Sequence, residues 1–229
     1  MKPLCIDLYC GLGGWAQGFL AEGYRVIGFD IERHDYGTGT YPGQLVIQDV
    51  RTLHGSQFSS ASVIVASPPC QEYSYRAMPW KRAKALPPPS NELFEACFRI
   101  QREAMEAAGK YIPMIVENVC GAQKWVGRAA WHFGSYYLWG DLPALMPFTS
   151  VRKQPGRNFH FPEKYGIPSP SFHGASHEPY VKAALELKFG WRDTRMDKGT
   201  SHGLKRKQAT AEISQIPFPL AQWIARVYR

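Results

Sequence analysis

The chain lacks any apolar run near the roughly 20 residues that a membrane-spanning helix needs. Its first apolar segment, residues 4–9, is too short for the core of a signal peptide, and no small-residue cleavage site follows it. A soluble, cytoplasmic chain without membrane attachment is expected. Cysteine is sparse and shows no paired spacing: Cys5, Cys10, Cys70, Cys97 and Cys120 are odd in number and contain no C-x-x-C. That argues against a disulfide framework and a zinc ribbon and predicts reduced thiols. The histidines His160, His173, His177 and His202 lack ligand spacing as well, so no metal site is expected. Acidic residues are outnumbered, 19 Asp and Glu against 27 Lys and Arg, for a formal charge of +8. The imbalance is concentrated: residues 150–207 hold twelve Lys or Arg and five Asp or Glu, a net +7 of the total. A basic segment can be a merely solvated face, but this share of the charge favours a phosphate-backbone footprint.

What is present begins with 229 residues at 45% hydrophobic content, enough for one sizeable domain and a small lobe. Residues 4–9 predict a strand, Cys10-Gly-Leu-Gly-Gly14 a tight turn, and residues 14–22 a helix ended by Gly23. Residues 24–29 and 45–47 predict two further strands, ending at Asp30 with Glu32 and at Asp49. The β-branched run of residues 61–66 predicts a fourth, stopped by Ser67-Pro-Pro-Cys-Gln71, in which two prolines fix φ ahead of one thiol. A helix over residues 91–108, capped by Ser90 or Asn91, should bury Leu93, Phe94, Cys97, Phe98 and Met105. A fifth strand over 111–116 leads to Glu117-Asn-Val119. Strands alternating with helices imply right-handed crossovers in an α/β fold with a doubly wound, mostly parallel sheet.

In such sheets ligands sit beyond the C-terminal strand ends. Here those ends carry Asp7 with the glycine turn, Asp30, Asp49, Cys70 and Glu117. Any one carboxylate at a strand end is commonly a turn residue; five reactive or polar ends on one rim point to a site. Gly11-Leu-Gly-Gly-Trp-Ala16 also fits the dinucleotide pattern G-x-G-x-x-G/A, with Asp30 near the ribose-binding distance. Hydride transfer, however, gives no reason for a Pro-Pro-Cys turn or a Glu-Asn pair.

Asp7-Leu-Tyr-Cys-Gly-Leu-Gly-Gly14 with Gly18, Asp30-Ile-Glu32, Asp49-Val50, Pro69-Cys-Gln71 and Glu117-Asn-Val119 resemble, in order and spacing, the DNA cytosine-5 methyltransferases over about residues 4–120. The resemblance implies a Rossmann-like S-adenosylmethionine-dependent methyltransferase fold acting on double-stranded DNA. It implies that the turn carrying Asp7, Tyr9, Gly11, Gly13 and Gly14 holds the methionine part of the cofactor, Asp30 or Glu32 the ribose and Asp49 the adenine amino group. Ile31, Val50 and Pro68 join that cofactor set. Cys70 would add to cytosine C6, Glu117 would protonate or hydrogen-bond N3, and Asn118 would stand beside it. Residues 73–84, with Arg76, Lys81, Arg82 and Lys84, would close over a flipped base; an exposed loop without a lid function would carry the same sequence.

The second half departs from the family pattern. Only Gln123 and Arg128 loosely match its Gln-x-Arg-x-Arg motif, so Arg128 is the candidate for the cytosine carbonyl. Residues 142–207 take the place of a target-recognition domain in reduced form, a small basic loop-rich lobe between a catalytic part (1–141) and a returning helix (208–229). In that helix Leu220, Trp223, Ile224, Val227 and Tyr228 follow helical spacing as a core face. A monomer of bacterial or phage origin, associated with the nucleoid through DNA, is expected. Ser-Pro-Pro followed by an aromatic marks exocyclic-amino methyltransferases, but Cys70 fills that place here. An RNA cytosine would use the same thiol chemistry, and a non-catalytic nucleic-acid-binding module would leave the rim unexplained.

Overall fold

The computed structural model of the protein describes residues 2–36, 40–77, 81–146, 208, 211–212 and 214–229, and of Arg82 and Lys84 the backbone alone. They belong to one unit drawn from Met1–Thr149 and Lys207–Arg229. The basic stretch of residues 150–207, including its four histidines, lies outside the described residues, as do Met78, Pro79 and Trp80 of the expected lid.

Seven strands form one sheet in the order β3-β2-β1-β4-β5-β7-β6. These are β1 (Leu4–Leu8), β2 (Arg25–Asp30), β3 (Gln44–Ile47), β4 (Val63–Ala66), β5 (Met114–Asn118), β6 (Trp131–Phe133) and β7 (Tyr136–Gly140). The first five run parallel, and β7 pairs antiparallel with both β5 and β6. This mixed, mostly parallel sheet is typical of the S-adenosylmethionine-dependent methyltransferase fold. β1, β4 and β5 are buried throughout, which is why they read as nearly unbroken apolar runs. β5 starts two residues beyond Ile112 because Pro113 has no N–H to give a neighbouring strand.

Alternation along the strands builds two cores. Leu4, Ile6, Leu8, Ile64, Ala66, Met114 and Val116 face α4 (Glu92–Ala108). Cys5, Val63, Val65 and Ile115 face α1 (Gly14–Ala21) and the C-terminal helix α6 (Phe218–Val227). The short helices α2 (Gln71–Arg76), α3 (Lys81–Lys84) and α5 (Gln123–Val126) lie at the strand ends.

Three expectations change. The buried face of α4 is Phe94, Ala96, Cys97, Ile100, Gln101 and Ala104, whereas Leu93, Phe98 and Met105 are only partly covered. The apolar residues overlooked a flanking stripe of small and polar side chains: Gln101 is buried because its amide reaches the Ile112 carbonyl and Asp141. In α6 the buried residues are Leu220, Ala221, Ile224 and Ala225; Trp223 and Val227 are exposed and Tyr228 is half-buried. The reason is close approach: a Cβ on Gly18 of α1 would stand 2.5 Å from Ala221, so a small residue holds the tightest point of the seam. Finally, the expected lid is not a loop at its start. Residues 71–76 are helical, with Tyr73 buried and its hydroxyl bonded to Asn91.

Candidate active site

The strand registers set one row of residues side by side. Leu8 pairs with Phe29 and Ala66, and Ala66 with Val116, so the next residues, Asp30, Tyr9, Ser67 and Glu117, lie in line at the C-terminal rim. The order of the strands reverses between β1 and β4, which opens the crevice where ligands of such sheets bind. The glycine turn lines one side of that point and the Pro-Pro-Cys turn the other.

On the β1 side the chain turns sharply. Tyr9 has φ 57°, a left-handed backbone unusual for a residue with a Cβ, and its hydroxyl donates to the Leu93 carbonyl at 2.9 Å. Gly11 also has positive φ, and among the described residues nothing stands within 4 Å of where its Cβ would be. Gly13 and Gly14 are instead needed for packing, since a Cβ would strike Pro42 and the Ile216 backbone. Asp7 is fully buried and accepts a hydrogen bond from Tyr41 at 2.9 Å, while its Oδ1 has no partner among the described residues. Burial drives its carboxyl well above the ordinary range.

Asp30 has the opposite character. Burial pushes its pKa up, but hydrogen bonds from His34 and the Gly11 N–H (2.9 Å) outweigh this and hold it below the ordinary value. It is an ionised acceptor beside the glycine turn. Ile31 next to it is 66% exposed. Asp49 starts a 3-10 turn and is paired with Arg51 at 2.6 Å. Val50 packs its side chain in the α4-side core. An open glycine, an ionised carboxylate, an exposed apolar side chain and a buried carboxyl oxygen without a partner form a donor set that fits a nucleoside cofactor carrying an amino-acid tail.

Across the crevice, Cys70 is half-buried between exposed Pro69 and the first turn of α2. Burial raises its thiol pKa, the Ser74 hydroxyl lowers it and the charge of Glu117 raises it. Glu117 is 8% exposed, and burial pushes its carboxyl up to about 8 against an opposing hydrogen bond from Ser67. It is therefore mostly a neutral acid at neutral pH. Asn118 fastens the thiol-bearing turn: its amide donates to the carbonyl of buried Pro68 at 2.9 Å, and its own oxygen accepts from Val119 N–H.

The structure thus brings together Asp7, Tyr9, the glycines, Asp30, Pro68, Cys70, Glu117 and Asn118 on one rim. Arg128 is exposed in the loop after α5, and among the described residues no hydrogen bond joins it to Cys70 or Glu117. Five residues at the site escaped sequence reasoning: Trp15, Tyr41, Ser67, Ser74 and Tyr136. Only Ser67 had a signal, as the residue opening the Pro-Pro-Cys turn.

Similarity to known proteins agrees with this rim. The model of the C-5 cytosine-specific DNA methylase family matches residues 4–125. Solved structures with partial likeness include a prophage-encoded DNA modification methyltransferase of E. coli, at 23% identity and TM-score 0.40, covering 55% of this chain and 34% of that one. Dnmt2 of S. pombe (16%, 0.37, 54% and 36%) and the Entamoeba histolytica methyltransferase EhMeth (15%, 0.36, 54% and 40%) show similar partial likeness. The likeness thus spans little more than a third of the length of these structures. The curated proteins contain no match. Because the family model covers more than half of the 229 residues and includes the glycine turn, the Pro-Pro-Cys turn and the Glu-Asn pair, the chain belongs to the C-5 cytosine-specific DNA methylase family.

Proposed function

We propose that the protein transfers a methyl group from S-adenosylmethionine to C5 of a cytosine flipped out of double-stranded DNA, through a covalent Cys70 adduct. The observation that carries this reading is the pairing of a thiol and a buried, proton-bearing glutamate on one rim, with charge interaction between them. Cytosine C5 is a poor nucleophile. The Cys70 thiolate gives its electron pair to C6, the ring electrons move toward N3, and Glu117 supplies the proton that N3 takes up. C5 then has the enamine character needed for attack. Bound S-adenosylmethionine supplies the electrophilic methyl group. Loss of the C5 proton to water and departure of the thiolate restore the aromatic ring, and the N3 proton returns to Glu117.

The cofactor's place in this reading is the β1–β2 side of the rim. Asp30 receives the ribose hydroxyls, Ile31 offers an apolar surface to the adenine, and Gly11 lets the backbone approach. Asp49 reaches the adenine amino group on leaving Arg51. Arg128 would need the loop after α5 to move toward the base. The division into residues 1–141, 142–207 and 208–229 stands with this proposal, the middle segment contacting DNA phosphates.

The test is methyl transfer from tritiated S-adenosylmethionine to duplex DNA, followed by nucleoside analysis. Label in 5-methylcytosine is expected, and Cys70→Ala should lower the rate by on the order of 10³-fold or more. Duplex containing 5-fluorocytosine should trap a covalent complex with the wild type, since fluorine cannot leave as a proton. Label in N4-methylcytosine, in N6-methyladenine or only in RNA would overturn the proposal, as would methylation of C5 without any trapped adduct.

A further inference from the structure

We propose that Trp15 and Ser67 form a fixed hydrogen-bond chain that positions the Glu117 carboxyl, so that the first turn of α1 serves the acid of the methyl-transfer reaction. This rests on the reading of Glu117 as the proton donor to cytosine N3.

The chain spans three elements. Trp15 is buried in the first turn of α1, directly after the glycine turn, and its indole Nε1–H donates to Ser67 Oγ at 3.0 Å. An indole N–H can only donate, so Ser67 must accept there, and its single hydroxyl proton is left for another partner. The Glu117 carboxyl stands beside it, on the same face of the neighbouring parallel strand and one step past the Ala66–Val116 pair, and receives that proton in the proposed chain. Ser67 cannot drift, because its backbone N–H is tied to the Leu8 carbonyl at 3.1 Å and Pro68 restricts its conformation. Sheet alternation points the same way. Asp7, Ile115 and Glu117 occupy the α1 side of their strands, as does the position after Ala66.

Two other titratable groups face Glu117 among the described residues. Cys70, from the turn after β4, and Tyr136, from β7, each interact with its charge. Both penalise the anion or are penalised by it. The Tyr136 hydroxyl donates to the Gln215 carbonyl at 3.1 Å.

The consequence lies in proton bookkeeping during the reaction. As the sulfur–C6 bond forms, the O–H bond of Glu117 breaks, N3 gains the proton and a carboxylate appears inside the protein. A buried carboxylate is costly unless a hydrogen bond stabilises it. Ser67, prevented from rotating by Trp15, meets that charge without reorganisation. A tryptophan in a core often needs only some acceptor for its N–H. In that bland role, removing the indole nitrogen would leave Glu117 unmoved.

The experiment follows the Glu117 carboxyl by ¹³C NMR, with glutamate labelled and the signal assigned by its loss in Glu117→Gln. Ser67→Ala should move its titration midpoint above the wild-type value of about 8 by about one pH unit or more. It should lower kcat by about 10- to 100-fold with KM changed less than about twofold. Trp15→Phe, which keeps the ring in the core, should act in the same direction and less strongly. Ser67→Thr should restore both readouts, and adding Ser67→Ala to Glu117→Gln should cost no further activity. An unchanged midpoint in both Ser67→Ala and Trp15→Phe would overturn the proposal, and Trp15→Phe decides alone if Ser67→Ala does not fold. If the wild type does not methylate cytosine C5, the proposed function falls while the midpoint still reads the hydrogen-bond chain.

Discussion

Under the proposed function Glu117 and Cys70 need opposite protonation states, and the protein moves both upward. Glu117 must keep its proton to serve N3, and burial lifts it to about 8. Cys70 must lose its proton, yet burial holds it above the ordinary thiol value of 9.0. The productive combination, thiolate with neutral acid, is then a minority form of the pair. Its population is greatest between the two values. The pH profile of kcat/KM should therefore be a bell with its maximum above pH 8, and a maximum below pH 7 in a steady-state assay would contradict the assignment. The same group affects stability. Its folded value exceeds its ordinary 4.5, so its contribution is fully present below the ordinary value and is lost as pH rises through about 8. Glu117→Gln cannot ionise. Its melting temperature relative to wild type should climb between about pH 5 and pH 8, by the equivalent of a few kcal/mol. Asp7, also raised by burial, adds a loss of the same sign that the variant retains. Scanning calorimetry across that range checks the prediction, and a pH-independent difference would contradict it.

At the scale of elements, α1 is tied at three places. Its N-terminus leaves the glycine turn, its first turn reaches Ser67, and Gly18 packs against α6. A methyl group at Gly18 would have to push the Ala221 backbone away from 2.5 Å. Gly18→Ala should lower stability by about 1–3 kcal/mol, or several degrees in melting temperature for a chain of this size. The strain would spread to the crevice because α1 carries both its turn and Trp15, so cofactor binding measured by calorimetry should weaken as well. α4, by comparison, is held at its ends by local means. Glu92 and Glu95 oppose the dipole in its first turn, and Gly109 at φ 61° completes its last.

For the whole molecule, charge is the property that the proposed binding to DNA would use. The net +7 of residues 150–207 dominates the chain's +8. Neutralising Lys205, Arg206 and Lys207 together should weaken DNA binding evenly across sequences and reduce the slope of log K against log salt by on the order of 2–3, because phosphate contacts release counterions without reading bases. Fluorescence anisotropy at several salt concentrations measures it. An unchanged slope would remove this segment from the interface. A segment this short places few side chains on base edges, so a recognition site of about two to four base pairs is expected from bisulfite sequencing of a methylated plasmid.

The sequence by itself determined the strands that are buried on both faces, because burial there demands apolar runs and leaves visible breaks at Asp7, Asp30, Cys70 and Glu117. It also determined the family, because the Pro-Pro-Cys turn and the Glu-Asn pair are each short motifs. It did not reveal the β6–β7 hairpin, whose strands carry aromatics of mixed exposure and which joins the sheet through the pairing of β7 with β5. Nor could it separate Ala221 and Ala225 from Trp223 and Val227 in α6, since the choice depends on how closely Gly18 lets two helices approach. Register was decided only in the folded sheet. Trp15, Ser67 and Glu117 lie about fifty residues apart in successive steps, and no local spacing links them. They meet because parallel strands place Ser67 beside Glu117, and because α1 crosses the same face.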